Sequence, residues 1–207
     1  QDWKPERNVE VVVPSGPGGG TDKTGRTVQS LLQNLKLVDK SVVVNKPGAA
    51  GRLGMLYLNQ HAGDGHYIAV STVTLLTNHI TGASNVTYTD VTPVAQLFSE
   101  YILFAVRADS PVRDGRDLVA RLKQDPQSLS FGVTAIGGTS HMVVGQVLGK
   151  AGGDARRLKM VVFKGGGEVT GALLGGHVDV VPAPVANLLP HIKAGKLRAL
   201  GVGGTKR

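Results

Sequence analysis

The chain has 207 residues, and 41% of them are hydrophobic, which is enough to bury the core of one large domain or of two small lobes. Its net charge of +8 favours an anionic partner, which could be a nucleic acid, a membrane surface or a small carboxylate. Scattered basic residues and an aromatic content of only 4% argue against a nucleic-acid binder. The lack of cysteine excludes disulfides and thiolate metal sites, and no apolar run is long enough for a membrane span.

In the first half of the chain, short β-branched runs alternate with glycine-rich turns and helical patterns. The elements predicted in chain order are a strand at Val9–Val13, a helix at 21–35, a strand at Ser41–Asn45, a helix at 53–61 and a strand at 67–72. Residues 87–96 have no clear period and separate these elements from the next group. This half therefore repeats the order strand, loop, helix.

The helix at 21–35 carries the clearest amphipathic pattern of the first half. Either Thr21 or Asp22 is expected as its N-cap. Its apolar residues are predicted on one face, and these are Val28, Leu31, Leu32 and Leu35. Arg26 follows Asp22 by one turn, so the two side chains can pair.

The second half repeats the alternation. The predicted elements in chain order are a strand at 101–106, a capped helix within 113–125 that ends before Pro126, a strand at 129–133, a helix at 141–152, a strand at 158–163, a helical stretch at 169–176, a strand at 177–181, the segments PAPVAN and LLPHIKAG, and a strand at Leu197–Val202. Strands that alternate with helices are typical of parallel sheets with crossover helices, so the fold class is predicted to be α/β.

The loop PSGPGGGTDKT at 14–24 has the composition of a phosphate-binding loop. In the register set by Lys23 and Thr24, a Walker loop requires glycine where this chain has Pro17 and Asp22, so the match fails. Two interpretations stay open: an anion site made of N–H groups at a helix N-terminus, or a tight β-to-α turn. KPGAAG at 46–51 is a second loop of this kind, and two such loops would suit a small anion with two charged ends.

Short motifs occur in a set order along the whole chain. They are WKP at 3–5, VVVP at 11–14, PGGGTD at 17–22 with Arg26, KPGAAG at 46–51, DGHYI at 64–68, DSPV at 109–112, GGTSH at 137–141, VVFKGGGE at 161–168, LLGGHVDV at 173–180 and IKAGKLRALGV at 192–202. Each motif alone is weak, but the ordered set is specific. In this set the chain resembles the periplasmic solute receptors of tripartite tricarboxylate transporters, the Bug or TctC-like proteins.

The resemblance implies a two-lobed, periplasmic-binding-protein-like (type II) fold that closes over its ligand like a Venus flytrap. We expect residues 1–100 to form part of the first lobe, 101–200 the second lobe, and 201–207 the start of a return to the first. The chain stops at Arg207, where relatives continue, so the C-terminal part of the first lobe is expected to be missing.

The resemblance also implies a function in transport. The expected ligand is a small organic carboxylate or amino acid, which the receptor would hand to membrane transporter subunits. The protein is expected to be a periplasmic monomer whose signal peptide has been removed, since the chain begins at Gln1 without a methionine. No cofactor, metal, nucleic acid or enzymatic activity is expected.

The residues expected to bind the ligand are carried over from the family by position. In the first lobe they are Ser15, Gly19, Gly20, Thr21, Asp22, Ala49, Ala50, Gly51 and Thr74. In the second lobe they are Thr134, Gly137, Gly138, Thr139, Ser140 and Asp179. Many relatives have a bulky aromatic residue at the position of Ser15, and a serine there leaves more room or a wetter pocket.

Other interpretations of these residues stay open. Asp22 can cap the helix, orient a water or a ligand ammonium group, or act as a general base. Lys46 and Lys164 each precede a glycine-rich loop, where they can reach an anion or remain solvated. The alternative function is an α/β enzyme acting on an acidic metabolite. The sequence offers it no convincing base or nucleophile, since the six histidines form no HxxxH motif and no GxSxG occurs.

Overall fold

The computed structural model describes residues 3–203, which form two compact units. The first unit ends at Ala95 and the second begins at Gln96. The expected assignment of residues 1–100 to the first lobe and of residues 101–200 to the second lobe remains a prediction. Part of the predicted return segment, residues 204–207, lies outside the described residues.

The first unit contains a three-stranded parallel sheet. Its elements are β1 (Val9–Val13), α1 (Gly20–Asn34), β2 (Ser41–Asn45), α2 (Arg52–Asn59), β3 (Tyr67–Ala69) and α3 (Thr74–Ile80), with short 3-10 turns at Ala49–Gly51 and Tyr88–Asp90. The strand order is β2-β1-β3, and Val11 of the central strand is paired with both Val43 and Ile68. Because the strands are parallel, the loops that follow them leave from one edge of the sheet.

Helices α1 and α2 contact opposite faces of β1. An added Cβ on Gly25 would lie 2.4 Å from Val13 Cγ2, so the backbone of α1 lies directly on this strand. On α2, the hydroxyl of Tyr57 donates to Oε2 of Glu10 at 2.8 Å. Successive strand residues point to opposite faces, and Glu10 and Val13 are on opposite faces by this rule. The valines of β1 are fully buried as a result.

The second unit combines antiparallel and parallel pairs. Its elements are β4 (Ile102–Arg107), α4 (Gly115–Gln124), β5 (Ser130–Val133), α5 (Thr139–Lys150), β6 (Lys159–Val162), α6 (Gly166–Leu174), β7 (Val181–Pro184), α7 (Val185–Lys193) and β8 (Leu197–Val202). Strand β4 lies between β7 and β8 and is antiparallel to both, whereas β5 and β6 are parallel. A parallel bridge joins Phe131 of β5 to Val180, so β7 runs in the same direction as β5.

Strand β4 separates two hydrophobic clusters of the second unit. Leu103 and Ala105 belong to a cluster formed with α6 and α7. Phe104 and Val106, which point the other way, belong to a cluster formed with α4 and α5. The sheet is therefore covered by helices on both faces.

The predicted α/β class is confirmed, and the strands at Val9–Val13, Ser41–Asn45 and Leu197–Val202 have the predicted bounds. Helix α4 is capped as predicted: the side chain of Asp114 accepts from the N–H groups of Arg116 and Asp117, both at 2.9 Å. The expectation that all strands are parallel is wrong, because β4 pairs antiparallel with its two neighbours.

The predicted strand at 177–181 is displaced. Strand β7 spans Val181–Pro184 and includes Pro182, which is buried opposite Phe104. A proline has no N–H for the ladder and is tolerated mainly in edge strands, which is why this segment looked like a loop. Helix α3 was not predicted, and the third strand ends at Ala69 rather than at 72.

The expected N-cap of the first helix is wrong, and its buried face is not the apolar one. The N-cap of α1 is Gly19 rather than Thr21 or Asp22, and it makes no side-chain capping hydrogen bond. The helix face against the sheet contains Asp22 and Gly25, whereas Leu31 and Leu35 are 51% and 64% exposed. Glycine allows the backbone of α1 to lie close to β1 at the contact. The leucines of the helix therefore face away from this strand.

Candidate ligand-binding loops

Three loops of the first unit converge at Gly51. An added Cβ on this glycine, whose φ is +91°, would lie 3.4 Å from Pro14 Cβ and 3.7 Å from Thr74 Oγ1. The strand ends are joined by main-chain bonds, since Lys46 N–H donates to the Val13 carbonyl at 2.8 Å. The structure thus brings together the predicted loop at Ala49–Gly51, Thr74 and the loop that begins at Pro14.

Asp22 is the most connected polar residue of these loops. Its side chain is 3% exposed. Oδ2 accepts from the Gly18 N–H at 2.9 Å and from Arg26 Nε at 3.0 Å, and Oδ1 accepts from Asn45 Nδ2 at 2.9 Å. The predicted pairing with Arg26 is confirmed. Asp22 therefore holds the glycine loop against its own helix and against β2.

The ionisation of Asp22 follows from these contacts. Burial opposes the charged form, but hydrogen bonds from Arg26, Gly18 and Asn45, together with the positive charge of Arg26, outweigh it. The net effect lowers the pKa of the Asp22 carboxyl below its usual value. At neutral pH the residue is a carboxylate whose two oxygens accept hydrogen bonds from the protein.

Asn45 lies at the centre of these loops, although the sequence patterns did not single it out. It ends β2, and its Nδ2 donates both to Asp22 Oδ1 at 2.9 Å and to the Ser15 carbonyl at 3.0 Å. The signal available in the sequence was a polar residue that closes a valine run directly before KPGAAG. Asn45 links the loop that contains Ser15 to the strand that precedes the second loop.

The second loop has an unusual backbone. Gly48, Ala49, Ala50 and Gly51 have φ angles of 127°, 46°, 54° and 91°. Alanine in the left-handed region costs on the order of 1 kcal/mol per residue, so surrounding contacts must hold the loop in place. One contact is Gly54, where an added Cβ would lie 2.7 Å from Pro14 Cβ. Another is Asn78, whose Nδ2 donates to the Ala50 carbonyl at 3.0 Å.

The helices that follow the parallel strands begin without side-chain caps. Within the described residues, no side-chain capping bond is present at the N-caps of α1, α2, α3, α5, α6 or α7. Helix α4, which follows the antiparallel strand β4, has a full Asp114 cap. First-turn N–H groups require an acceptor, and a helix N-terminus favours an anion. The uncapped N-termini are therefore suited to an anionic ligand.

In the second unit, the loop from Thr134 to Ser140 follows β5 and leads into α5. Gly137, with φ +79°, donates its N–H to Nδ1 of His141 at 3.0 Å. This bond requires a neutral imidazole with its proton on Nε2. Burial of the ring lowers the pKa of His141, which favours the same form. Gly138 is the N-cap of α5, and Thr139 and Ser140 form its first turn.

The loop after β6 leaves from the same edge as the loop after β5. Phe163 N–H donates to the Val133 carbonyl at 2.9 Å, and the two strands are parallel. The Lys164 N–H donates to Oε2 of Glu168 at 2.9 Å, and the Lys164 side chain is exposed. In the first unit, the ammonium of Lys46 lies 4.2 Å from the centre of the Tyr57 ring, as a cation–π contact.

Asp179 does not lie with the other predicted residues of the second unit. Its Oδ2 accepts from the N–H and the hydroxyl of Ser130 at 2.7 and 2.6 Å. Ser130 begins β5, whereas Thr134 follows its last residue, so the two are at opposite ends of the strand. The contacts of Asp179 fasten the segment before β7 to β5.

Residues 3–203 contain neither a cluster of metal-binding side chains nor a membrane-spanning helix. No group of three or more histidine, aspartate or glutamate side chains in this range is arranged to hold a metal ion. No helix in the same range has the length and apolar character required to cross a bilayer. His61 stacks on Tyr67 at 3.7 Å between ring centres, and His66 Nδ1 is 2.6 Å from Asp64 Oδ1.

The fold is similar to that of solved periplasmic binding proteins. The structure of the periplasmic binding protein BugD aligns with a TM-score of 0.87 and 26% identity, over 98% of this chain and 67% of that one. The structure of MatC from Rhodopseudomonas palustris with bound malate aligns with a TM-score of 0.83 and 25% identity, over 98% of this chain and 69% of that one. The predicted class of fold is confirmed by these similarities.

The family follows from the sequence comparison. The family model described as "Tripartite tricarboxylate transporter family receptor" (TctC) matches residues 25–207. The chain belongs to this family, as its motifs indicated. Protein BugT of Bordetella pertussis is 28% identical over 213 residues, which include 100% of this chain and 63% of BugT. The chain thus spans less than two thirds of the length of this curated relative.

Proposed function

We propose that the protein is an extracytoplasmic solute receptor that binds a small organic carboxylate and delivers it to a secondary membrane transporter. The observation that carries this proposal is the set of uncapped helix N-termini after the parallel strands of each unit. Main-chain N–H groups at such positions bind carboxylates without a dedicated arginine. Membership of the family and the malate in the MatC structure support the same ligand class.

The proposed role is binding without catalysis. The candidates for a general base in these loops are Asp22 and His141, and both accept hydrogen bonds from main-chain N–H groups of glycine. A base that must take a proton from a substrate needs a lone pair directed at that substrate. The contacts of both residues support a role in shaping the loops.

The predicted site residues are part of the proposal. In the first unit they are Ser15, Gly19, Gly20, Thr21, Asp22, Ala49, Ala50, Gly51 and Thr74. In the second they are Thr134, Gly137, Gly138, Thr139 and Ser140. Asp179 is left out of the proposed site because its carboxylate is bound to Ser130. Periplasmic location, a monomeric state and ligand-driven closure of the two lobes are also proposed, as the sequence led us to expect.

Isothermal titration calorimetry with malate, succinate and adipate tests the ligand class, and the dimethyl ester of each acid is the matched control. Saturable binding of an acid and no binding of its ester is the expected result, since the N–H groups select a carboxylate. Binding of the esters with equal affinity, or turnover of a bound acid, would refute the proposal.

Thr21→Val tests the site in the first unit. Thr21 is in the first turn of α1, and we expect its replacement to weaken binding about tenfold, the loss of one charge-assisted hydrogen bond. The control is Thr27→Val, six residues along the same helix, where the hydroxyl is exposed and donates to the Lys23 carbonyl. Equal affinities for the two variants would remove Thr21 from the site.

A further inference from the structure

Asn78 is a buried residue whose side chain is only half satisfied. It is 4% exposed and lies in α3. Its Nδ2 donates to the Ala50 carbonyl at 3.0 Å, whereas Oδ1 is buried and has no hydrogen-bond partner among residues 3–203. A buried polar atom without a partner is destabilising, and an apolar residue of similar size avoids that loss. The single bond of Asn78 to Ala50 therefore calls for a role other than stability.

The bond is made to the most strained part of the first unit. Ala49 and Ala50 have φ angles of 46° and 54°, a region that alanine seldom adopts. The carbonyl of Ala50 accepts from Asn78, which fixes the orientation of the peptide plane that follows Ala50. The N–H groups of Ala49 and Ala50 have no acceptor in the described part of the chain, so their direction depends on this backbone conformation.

We propose that Asn78 is a positioning residue, which holds the Ala49–Gly51 loop in its left-handed conformation so that the loop's N–H groups face a ligand carboxylate. The role rests on the proposed function, because it assigns a supporting residue to the same site. Asn78 would not contact the ligand. It would act through the Ala50 carbonyl. The unpaired Oδ1 of Asn78 lowers the stability of the fold, and this loss accompanies the arrangement of the loop.

The test is Asn78→Leu, which removes both the donor and the unpaired oxygen and keeps the number and branching of the side-chain heavy atoms. Thermal stability is expected to stay the same or to rise, whereas affinity for the dicarboxylate that binds the wild type falls about tenfold, or about 1.4 kcal/mol. The matched control is Ser41→Ala, which also changes a buried polar residue of the first unit, at the opposite end of β2. Its affinity is expected to equal that of the wild type.

Rescue separates positioning from a general structural role. Glycine adopts positive φ without the penalty of alanine, so Ala50→Gly in the Asn78→Leu background is expected to restore most of the lost affinity. An Asn78→Leu protein that binds within twofold of the wild type, or a double variant that shows no recovery, would overturn the inference.

A measurement without ligand keeps this inference separate from the proposed function. Three-bond HN–Hα couplings report φ at Ala49 and Ala50, and NMR of the wild type and of Asn78→Leu compares them directly. We expect the couplings of Ala49 and Ala50 to change in Asn78→Leu, and the coupling of Ala49 to return toward its wild-type value in the double variant, where Ala50 itself is replaced. Unchanged couplings would refute positioning by Asn78 even if the protein binds carboxylates. Changed couplings in a protein that binds none would uphold it and refute the receptor proposal alone.

Discussion

The side-chain amide of Asn45 lies 2.9 Å from the Asp22 carboxylate and joins the first two loops of the N-terminal unit. The same nitrogen donates to the Ser15 carbonyl at 3.0 Å, and the carboxylate also accepts from Gly18 N–H and from Arg26. One buried anion thus organises a glycine-rich turn that would otherwise have many conformations. The fixed conformation of the proposed binding loops depends on the contact between Asp22 and Asn45.

Asp22→Asn is expected to lower the free energy of unfolding at pH 7 by about 2 kcal/mol, because a buried acceptor is replaced by a donor and Arg26 loses its partner. Urea unfolding measures the change. Asp39→Asn is the control, since Asp39 is exposed, and it should unfold like the wild type. Equal unfolding midpoints for both variants would contradict the organising role of Asp22.

The contribution of Asp22 also depends on pH in a defined direction. Its pKa is lowered in the folded state, so its stabilisation is present above the unfolded value and is lost as the pH falls through the lower folded value. The stability difference between the wild type and Asp22→Asn should therefore be constant from about pH 6 to 8 and shrink below about pH 4. A difference that grows on acidification would show that the carboxylate is not the stabilising form.

Asn45→Asp places a second carboxylate against Asp22. Two carboxylates in contact cannot both remain ionised easily, so we expect a loss of about 2 kcal/mol at pH 7. The loss should diminish toward pH 5, where one of the two groups takes up a proton. Thermal unfolding across this pH range measures it. Asn85→Asp, at an exposed position, is the control and should show neither effect.

Gly54→Ala tests the contact between α2 and the first loop. The new Cβ would lie 2.7 Å from Pro14 Cβ and 2.8 Å from Pro14 Cα, so the helix and the loop must move apart. A loss of about 2 kcal/mol in unfolding free energy is expected, with weaker dicarboxylate binding. In Gly171→Ala, on α6, the new Cβ would meet nothing within 4 Å. That control should gain about 0.5–1 kcal/mol, because alanine favours a helix over glycine.

His141→Leu tests the ring that accepts from Gly137. Burial lowers the pKa of His141 in the folded state, so its stabilisation is present above the unfolded value of about 6.5 and is lost as the pH falls through the folded value. The wild type should exceed the variant in stability by about 1 kcal/mol at pH 8, and this advantage should fade toward pH 5. An equal effect in His177→Gln, at an exposed position, would refute the role of this bond.

The alternation of apolar runs with glycine-rich turns was sufficient to predict most strands and helices. Helix α4 is an example, since Asp114 and Pro126 mark its limits in the sequence itself. Strand β7 could not be predicted in this way. Its proline is accommodated because β4 supplies an antiparallel neighbour from a distant part of the chain. Helix α3 is short, and its buried residue is the polar Asn78, so it has no apolar face for a pattern to reveal.

Local signals in the chain were thus enough for the α/β class, the family and the position of the glycine-rich loops, because turns and caps depend on neighbouring residues. The partners of the side chains were set only by folding. Asp22 meets Asn45, Asn78 meets Ala50, and Asp179 meets Ser130 across wide separations in sequence. These contacts arise from the pairing of strands and the packing of helices, and no local pattern encodes which distant polar groups will be buried together.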